Sequence, residues 1–308
     1  MAMQSLTERF KSDVPVVMDG AMSTELANQG LLFNTDDWLK VNLRQPEMLA
    51  NVHASYARAG ARLHIANSFA IAKHVAEYYG FSDEFEDLNR ASVTVCREAV
   101  TNVSDEPHWI AGSISTYAPD HDRSKLPSLT QLEANCREQA LILASAGCDM
   151  IALEMVADVE TGIAMLRGVA EAALPISIGI VCAGSASGQI QMAHKYRDVV
   201  SEALQTGVSR IIDSAPANAS LIMTIMHCDV GETTAALAQL QGVWSGQSGV
   251  YPHTGSPDFN GGWDMTEACD SQEFSDCCVA AVNSGVCFIG GCCGIGPQYI
   301  TDLVQRLE

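Results

Sequence analysis

Short apolar runs, many rich in β-branched residues, alternate along the chain with longer segments in which apolar residues recur every three or four positions. The short runs are typical of buried strands, and the longer segments are typical of amphipathic helices. The eight strand-like runs are PVVMDG (15–20), RLHIANSF (62–69), WIAGSIS (109–115), MIALEMV (150–156), ISIGIVC (176–182), SRIIDSA (209–215), GVWSGQS (242–248) and VCFIGG (286–291). Eight βαβ-type repeats predict parallel strands, and they fit a closed (β/α)8 TIM barrel better than an open, doubly wound sheet.

One of the intervening segments shows the helical pattern clearly. SLTQLEANCREQALILASAG (128–147) has apolar spacings of three and four and ends at Gly147, as a helix with a glycine C-cap does. No linker or low-complexity tract interrupts the series, so we expect one barrel domain over residues 1–308. The least regular stretch, 254–274, is rich in glycine and polar residues and is predicted to be a long loop after the seventh strand.

The composition restricts what such a barrel binds. A formal net charge of -20, with only 17 Lys and Arg residues, argues against nucleic acid, whose phosphates are bound by clustered basic side chains. No dinucleotide fingerprint or Walker-type loop is present. The N-terminus lacks a basic region followed by an apolar run, and no segment approaches the ~20 apolar residues of a membrane span. A cytoplasmic location and small-molecule partners are expected. The sequence does not determine the oligomeric state, and a homo-oligomer is one possibility.

The eleven cysteines are expected to be reduced, because the chain is large, their number is odd and no signal peptide is evident. Cys277 and Cys278 are neighbours in a helical run, where adjacent side chains point about 100° apart, so they are interpreted as structural. Four further cysteines in helical or strand-entry patterns are interpreted as core residues: Cys96, Cys136, Cys148 and Cys228.

Polar and reactive side chains gather where the predicted strands end. In a TIM barrel the carboxyl ends of the strands carry the active site, so these residues are the first candidates for function. In strand order they are Asp19 and Gly20, Asn67 and Ser68, Ser113 and Ser115, Glu154, Cys182, Asp213 and Ser214, and Cys292 with Cys293.

The segment GGCCGIGP (290–297) is the sharpest of these signals. Two adjacent thiols on a glycine-flanked turn can face one soft metal ion, and Gly290 and Gly291 give the backbone the freedom to turn. At the end of the last strand the pair Cys292 and Cys293 is therefore predicted to be functional.

The sequence resembles the homocysteine S-methyltransferase family, including its betaine-dependent branch, almost from end to end. The resemblance is carried by blocks that occur in the family's order. They are DGAMSTEL (19–26), Trp38, the pattern P-E-x4-V-H-x2-Y-x2-A-G-A over residues 46–61, ANSF (66–69), GSIS (112–115) with Tyr117, ALEM (152–155), YPHTG (251–255), Trp263 and GGCCGIGP (290–297).

The resemblance implies transfer of a methyl group from a sulfonium or quaternary ammonium donor to the sulfur of homocysteine, assisted by zinc on three cysteines. A thiol with a pKa near 8.5 is mostly protonated at neutral pH, and metal coordination deprotonates it. The resemblance places Cys292 and Cys293 at the metal. The residues that it implies for homocysteine are Asp19, Gly20, Asn67, Ser68 and Glu154. Aromatic faces attract onium groups, and the candidates for the donor are Trp38, Tyr117 and Trp263.

The chain departs from the family at the predicted sixth strand. There the family has Asn-Cys, with the cysteine as third zinc ligand, whereas RIIDSAP (210–216) puts Asp213 and Ser214 in these places. A neutral serine hydroxyl is a poor zinc ligand. Three possibilities remain for the third ligand. Asp213 supplies an oxygen, Cys182 from the neighbouring strand supplies a thiolate, or Ser214 is a substitution introduced in place of the natural cysteine. His53, inside a predicted helix, is interpreted as a buried, hydrogen-bonded histidine.

The leading hypothesis is an active homocysteine S-methyltransferase. One alternative is a barrel that binds an amino acid or onium ligand without zinc-dependent transfer, because Ser214 stands where the family has its third zinc-binding cysteine. Another is an enzyme in which the adjacent cysteines perform redox or covalent chemistry. Metal content separates the first hypothesis from the others, and the sequence does not identify the methyl donor.

Overall fold

A computed structural model describes residues 4–31, 35–185, 188–194, 199–257 and 263–308 of the chain. Within these ranges eight strands pair in parallel, and we number them as barrel strands one to eight. Their bounds are Val16–Val17, Leu63–Ala66, Trp109–Ser115, Met150–Val156, Ile176–Gly184, Leu221–Asp229, Ser248–His253 and Phe288–Ile289.

The strands form a ring. Each strand from two to seven is hydrogen-bonded to the next one in the chain, and strand eight pairs with strand one. A parallel bridge between Met18 and Leu63 joins strand one to strand two, and Asp19 N–H donates to the Leu63 carbonyl oxygen at 3.0 Å. The predicted TIM barrel is therefore confirmed.

Helices surround the ring and follow the strands in the chain. The helix predicted over 128–147 is confirmed: it begins after the Ser128 N-cap, and Gly147 beyond its end has a φ of 96°. The α-helices are Leu6–Arg9, Met22–Asn28, Thr35–Leu39, Val41–Arg44, Pro46–Arg58, Lys73–Tyr79, Phe85–Thr101, Leu129–Ser145, Val159–Val169, Leu204–Asp213, Val230–Gln241, Ser271–Asn283 and Pro297–Leu307. Within the described ranges, each helix is too short or too polar to cross a membrane.

Strand alternation divides the apolar side chains between two layers. On strand four, Met150 and Ala152 pack inside the barrel, while Ile151 and Leu153 pack outward against the helices. Because successive side chains of a strand point to opposite faces, Glu154 continues the inward series at the carboxyl end. The barrel interior is thus apolar in its middle and bears ionisable groups at one end.

The predictions for strands six and seven were wrong. Residues 209–213 form the end of the helix Leu204–Asp213, and Ser214 and Ala215 follow it. In this helix Leu204, Val208 and Ile211 bury one face at helical spacing. Strand six is instead Leu221–Asp229, a longer apolar run that follows this helix. Strand seven begins at Ser248, where the predicted run 242–248 ends.

Two additions extend the barrel at the carboxyl ends of its strands. After strand five, Ile190–His194 folds back antiparallel on it and pairs in turn with Val199–Ala203. Within the loop predicted over 254–274, Ser256–Pro257 pairs antiparallel with Trp263–Asp264, while residues 258–262 lie outside the described chain. The end of that predicted loop is helical, since Asp270 caps the helix that begins at Ser271.

Candidate active site and metal centre

Three side chains that can ligate zinc meet at the carboxyl ends of strands six and eight. One ligand atom from each of His227, Cys292 and Cys293 lies within 4.8 Å of the others. His227 Nδ1 is 3.5 Å from Cys292 Sγ, and the two sulfur atoms are 3.9 Å apart. Zinc bonds of about 2.0–2.3 Å in a tetrahedral site put nitrogen and sulfur ligands roughly 3.5 Å apart and two sulfurs roughly 3.8 Å apart. The three side chains therefore fit a zinc ion.

The turn that carries the two cysteines is built on backbone contacts. Cys292 N–H donates to the Pro252 carbonyl oxygen at 2.7 Å, and Ile295 N–H donates to the Cys292 carbonyl oxygen at 3.1 Å. Gly294 adopts a left-handed φ of 78°, and a Cβ there would lie 2.3 Å from the Thr254 carbonyl oxygen. The glycine that this turn requires for its φ is therefore Gly294, rather than the predicted Gly290 and Gly291.

A β-bulge turns His227 toward the cysteines. On strand six Ile222 and Met226 face the barrel interior, so strict alternation would place Cys228 inside and His227 outside. The register shifts between Met226 and Asp229, and His227 has a φ of 46°, which is uncommon for a residue with a side chain. Cys228 consequently packs outward in the core between strands and helices.

The candidates proposed from sequence as third ligand lie elsewhere. Asp213 is exposed at the end of its helix, and Ser214, the C-cap, donates its hydroxyl to the Arg210 carbonyl oxygen at 2.9 Å. Cys182 is buried and hydrogen-bonded to Cys228, outside the cluster of His227 with the two cysteines. The alignment of Ser214 with the family's cysteine was therefore wrong, because it rested on a strand that is a helix.

Two buried carboxyl groups lie at the same end of the barrel. Asp19 is 1% exposed, and its Oδ2 accepts from Ile65 N–H at 3.0 Å, whereas Oδ1 has no partner in the described chain. Glu154 accepts hydrogen bonds from the Ser113 and Tyr251 hydroxyls. Burial raises the pKa of Glu154 to about 7. Burial, and then the charge of Glu154, raise the pKa of Asp19. Such a pair favours a cationic ligand.

The carboxyl pair and the cysteines belong to one neighbourhood. Gly291 N–H, next to Cys292, donates to the Asp19 carbonyl oxygen at 3.0 Å. Burial raises the pKa of the Tyr251 hydroxyl, and the charges of Glu154 and Cys292 raise it further. Burial together with a hydrogen bond to Cys293 also raises the pKa of Cys292, the hydrogen bond contributing most.

The other predicted homocysteine residues, Gly20, Asn67 and Ser68, make close contacts within the protein. A Cβ on Gly20 would lie 2.1 Å from the Ile295 carbonyl oxygen, so only glycine fits where strand one approaches the cysteine turn. The Ser68 hydroxyl donates to the Ser113 carbonyl oxygen at 2.7 Å. The Asn67 amide nitrogen donates to Asn42 Oδ1 at 2.8 Å.

The three aromatic candidates for the donor form two groups. Trp38 and Tyr117 contact each other edge to face, with ring centroids 5.5 Å apart. Trp263 contacts the rings of His227 and His253, with centroid distances of 6.0 and 5.9 Å. Trp263 is thus the candidate placed beside the metal cluster.

The sequence interpretation missed the polar end of strand six and its partner on strand seven. His253 stacks on His227 at 4.3 Å between ring centroids, and its Nε2 is 3.0 Å from Asp229 Oδ1. The signal was present in the sequence as an apolar run, LIMTIM (221–226), followed directly by His-Cys-Asp. His53 is buried as expected, but neither of its ring nitrogens has a hydrogen-bond partner in the described chain.

The sequence matches a family model described as homocysteine S-methyltransferase over residues 16–307. Among curated relatives, a selenocysteine Se-methyltransferase of Brassica oleracea var. italica is 24% identical, covering 94% of this chain and 88% of the relative. Homocysteine S-methyltransferase 2 of Arabidopsis thaliana is 23% identical, with coverages of 94% and 92%.

The fold has solved counterparts. The metallated form of the homocysteine methyltransferase MmuM from Escherichia coli superposes with a TM-score of 0.75 at 23% identity, covering 96% of this chain and 97% of that one. Its apo form gives a TM-score of 0.67 at 22% identity, with coverages of 96% for both chains. These structures share the fold of the present chain.

Proposed function

Because the chain belongs to the homocysteine S-methyltransferase family, we propose that it transfers a methyl group from a sulfonium or quaternary ammonium donor to the thiol of homocysteine, giving methionine. One observation supports this most strongly. A three-residue cluster with zinc-ligand spacing lies at the same strand ends as a buried carboxyl pair suited to an ammonium group. Homocysteine has a thiol at one end, which suits the zinc cluster, and an ammonium group at the other end, which suits the carboxyl pair.

The metal of this site would be zinc, held by His227, Cys292 and Cys293. Two thiolates and a neutral imidazole balance the charge of Zn²⁺, which leaves the site able to accept a further thiolate. When bound, the metal lowers the pKa of a coordinating thiol, so that the acceptor sulfur is a thiolate without a general base.

The remaining groups hold the two substrates. Asp19 and Glu154 pair with the ammonium group of homocysteine, and Gly20 lets strand one approach the turn that carries the cysteines. The ring of Trp263 lies beside His227 and offers a π-face to the onium donor, whereas Trp38 and Tyr117 are candidates for the outer part of that pocket. The thiol proton leaves to solvent, and the donor departs as a neutral thioether or tertiary amine.

The alternative of a barrel without zinc-dependent transfer loses its basis. It depended on Ser214 at a ligand position, and Ser214 caps a helix instead. The residue that strand six supplies to the cluster is His227, a standard zinc ligand.

The activity is tested by incubating zinc-loaded protein with homocysteine and each of S-methylmethionine, S-adenosylmethionine, betaine and dimethylsulfoniopropionate, and measuring methionine. We expect methionine from at least one donor and its loss in Cys293→Ala. Cys277→Ala, in a buried helical position away from the site, is the matched control and should keep activity. No methionine from any donor, with zinc bound, would refute the proposal.

A further inference from the structure

A chain of polar side chains runs along the barrel wall from the amino end of strand three to Asp19, partly buried at Arg62 and Ser104 and fully buried from His108 onward. It begins at Arg62, whose Nη1 is 3.4 Å from both Ser104 Oγ and His108 Nε2. Ser104 Oγ is 3.1 Å from the same Nε2, and His108 Nδ1 is 3.0 Å from His64 Nε2. His64 Nδ1 then faces Asp19 Oδ2 at 3.8 Å, which is ion-pair range but longer than a hydrogen bond.

The direction of this chain follows from its first member. A guanidinium group has only donors, so in the direct contact between Arg62 and His108 the Nε2 atom of His108 must accept. Burial lowers the pKa of His108 to about 4 and also lowers the pKa of His64, so each ring is neutral near pH 7 and carries one proton. The proton of His108 is then on Nδ1 and is donated to His64 Nε2.

The same argument fixes the second ring. Because His64 Nε2 accepts from His108, the single proton of His64 must be on Nδ1, which is the atom that faces Asp19. An N–H on Nδ1, 3.8 Å from Oδ2 and without a hydrogen-bond partner in the described chain, favours the ionised carboxylate electrostatically. Since Oδ2 also accepts from Ile65 N–H, the unpartnered Oδ1 is the oxygen left for a ligand.

We propose that Arg62, His108 and His64 form a positioning relay, which fixes the proton of His64 on Nδ1 and thereby prepares Asp19 to bind the ammonium group of homocysteine. The relay rests on the proposed function, in which Asp19 contacts that group. Neither histidine touches the substrate. Their effect is carried by Asp19, whose Oδ2 already accepts from Ile65 N–H and would receive a second favourable interaction from His64.

Other ionisable groups surround Asp19, and they define the competing explanation. Glu154 approaches from strand four and His53 from the helix Pro46–Arg58. One ligand atom from each of Asp19, His53 and His64 lies within 4.8 Å of the others, which also suits a second metal ion. A metal ion would need the lone pair of His64 Nδ1, whereas the relay puts a proton there, so the two occupants exclude each other.

The proton position is measured directly by long-range ¹⁵N–¹H correlation spectra of zinc-loaded protein labelled with ¹⁵N-histidine, with His64→Gln assigning the resonances. We expect His64 to be neutral and protonated on Nδ1 in the absence of any substrate. Protonation on Nε2, double protonation, or a metal-shifted Nδ1 would overturn the relay, and none of these results depends on homocysteine binding.

Two substitutions of His108, nearly isosteric with each other, separate the two directions of the relay. In His108→Asn the amide nitrogen takes the place of Nδ1 and still donates to His64, whereas in His108→Asp an oxygen accepts from Nε2–H and moves the His64 proton away from Asp19. We expect homocysteine to bind His108→Asn as it binds the wild type, and His108→Asp about tenfold more weakly, with unchanged zinc content. Equal affinities with the proton moved would contradict the proposal.

The carboxylate introduced by His108→Asp can also hold His64 in its doubly protonated form. In that state Nδ1–H persists, and homocysteine affinity must then stay at the wild-type level; a loss of affinity would overturn the relay. Failure of the proposed function is distinguishable, because wild-type protein with zinc and a correct His64 tautomer would then not bind homocysteine at all.

Discussion

Glu154 shows how a single buried residue links pH to stability. Burial raises its pKa from the ordinary value of 4.5 to about 7, so the folded protein keeps a proton that the unfolded chain releases. The stabilisation from this proton is complete below pH 4.5 and is lost as the pH rises to about 7. We expect the free energy of unfolding of ligand-free wild type, relative to Glu154→Gln, to fall over this interval in denaturant titrations. A pH-independent difference would contradict the raised pKa.

The same residue has the opposite pH dependence in ligand binding. An ammonium group pairs with the ionised carboxylate, so affinity should increase as the pH rises through 7. Methionine is the suitable probe in calorimetry, because it has the ammonium group and no thiol to titrate. We expect Glu154→Gln to lose the pH step and to bind methionine about 2–5 kcal/mol more weakly. Unchanged affinity would remove Glu154 from the site.

His227 and Cys228 are adjacent candidates for the third zinc ligand, and the bulge selects between them. His227 faces Cys292, while Cys228 is buried against Cys182. We therefore expect His227→Ala to lose most of its zinc against a chelator and Cys228→Ser to retain it, as measured by metal analysis of the purified proteins. Retention by His227→Ala and loss by Cys228→Ser would mean that the cysteine is the ligand.

At the scale of the element, the cysteine turn depends on one left-handed glycine. Gly294 and Gly80 have similar φ values of 78° and 74°, but a Cβ at Gly80 meets nothing within 4 Å, whereas at Gly294 it meets the Thr254 carbonyl oxygen. Gly80→Ala should cost only about 1 kcal/mol of stability through backbone strain. Gly294→Ala should cost more and also weaken zinc retention. Equal effects of the two substitutions in thermal melts and metal analysis would contradict this account of the turn.

Elements were predictable where the apolar pattern was unambiguous. Strands three and four have the predicted bounds, because each is a continuous buried run. In residues 209–215 the pair Ile211 and Ile212 suggested a strand, although buried Leu204 and Val208 show the spacing of a helix. The inward direction of His227 was not predictable, since it comes from a bulge that breaks strand alternation.

At the scale of the whole molecule, the order of the strands and helices along the chain predicted the fold better than the bounds of any single element did. Eight repeats and a family resemblance predicted the barrel, which is confirmed although two strands were misplaced. The position of its site at the carboxyl ends of the strands stays a prediction. Which side chains contact each other across the site was harder to predict from the sequence. Residues 227 and 292, for example, are brought together only by closure of the ring of strands. A single domain over residues 1–308 remains a prediction.

Zinc K-edge X-ray absorption of the purified protein tests the central claim most directly, because it counts the sulfur atoms bound to the metal before and after homocysteine is added. The account predicts two sulfur neighbours with nitrogen or oxygen completing the set, and a third sulfur when homocysteine binds. Three sulfur neighbours in the homocysteine-free protein would mean that a cysteine, and not His227, is the third protein ligand. An unchanged sulfur count on adding saturating homocysteine would contradict activation of the acceptor thiol at this site.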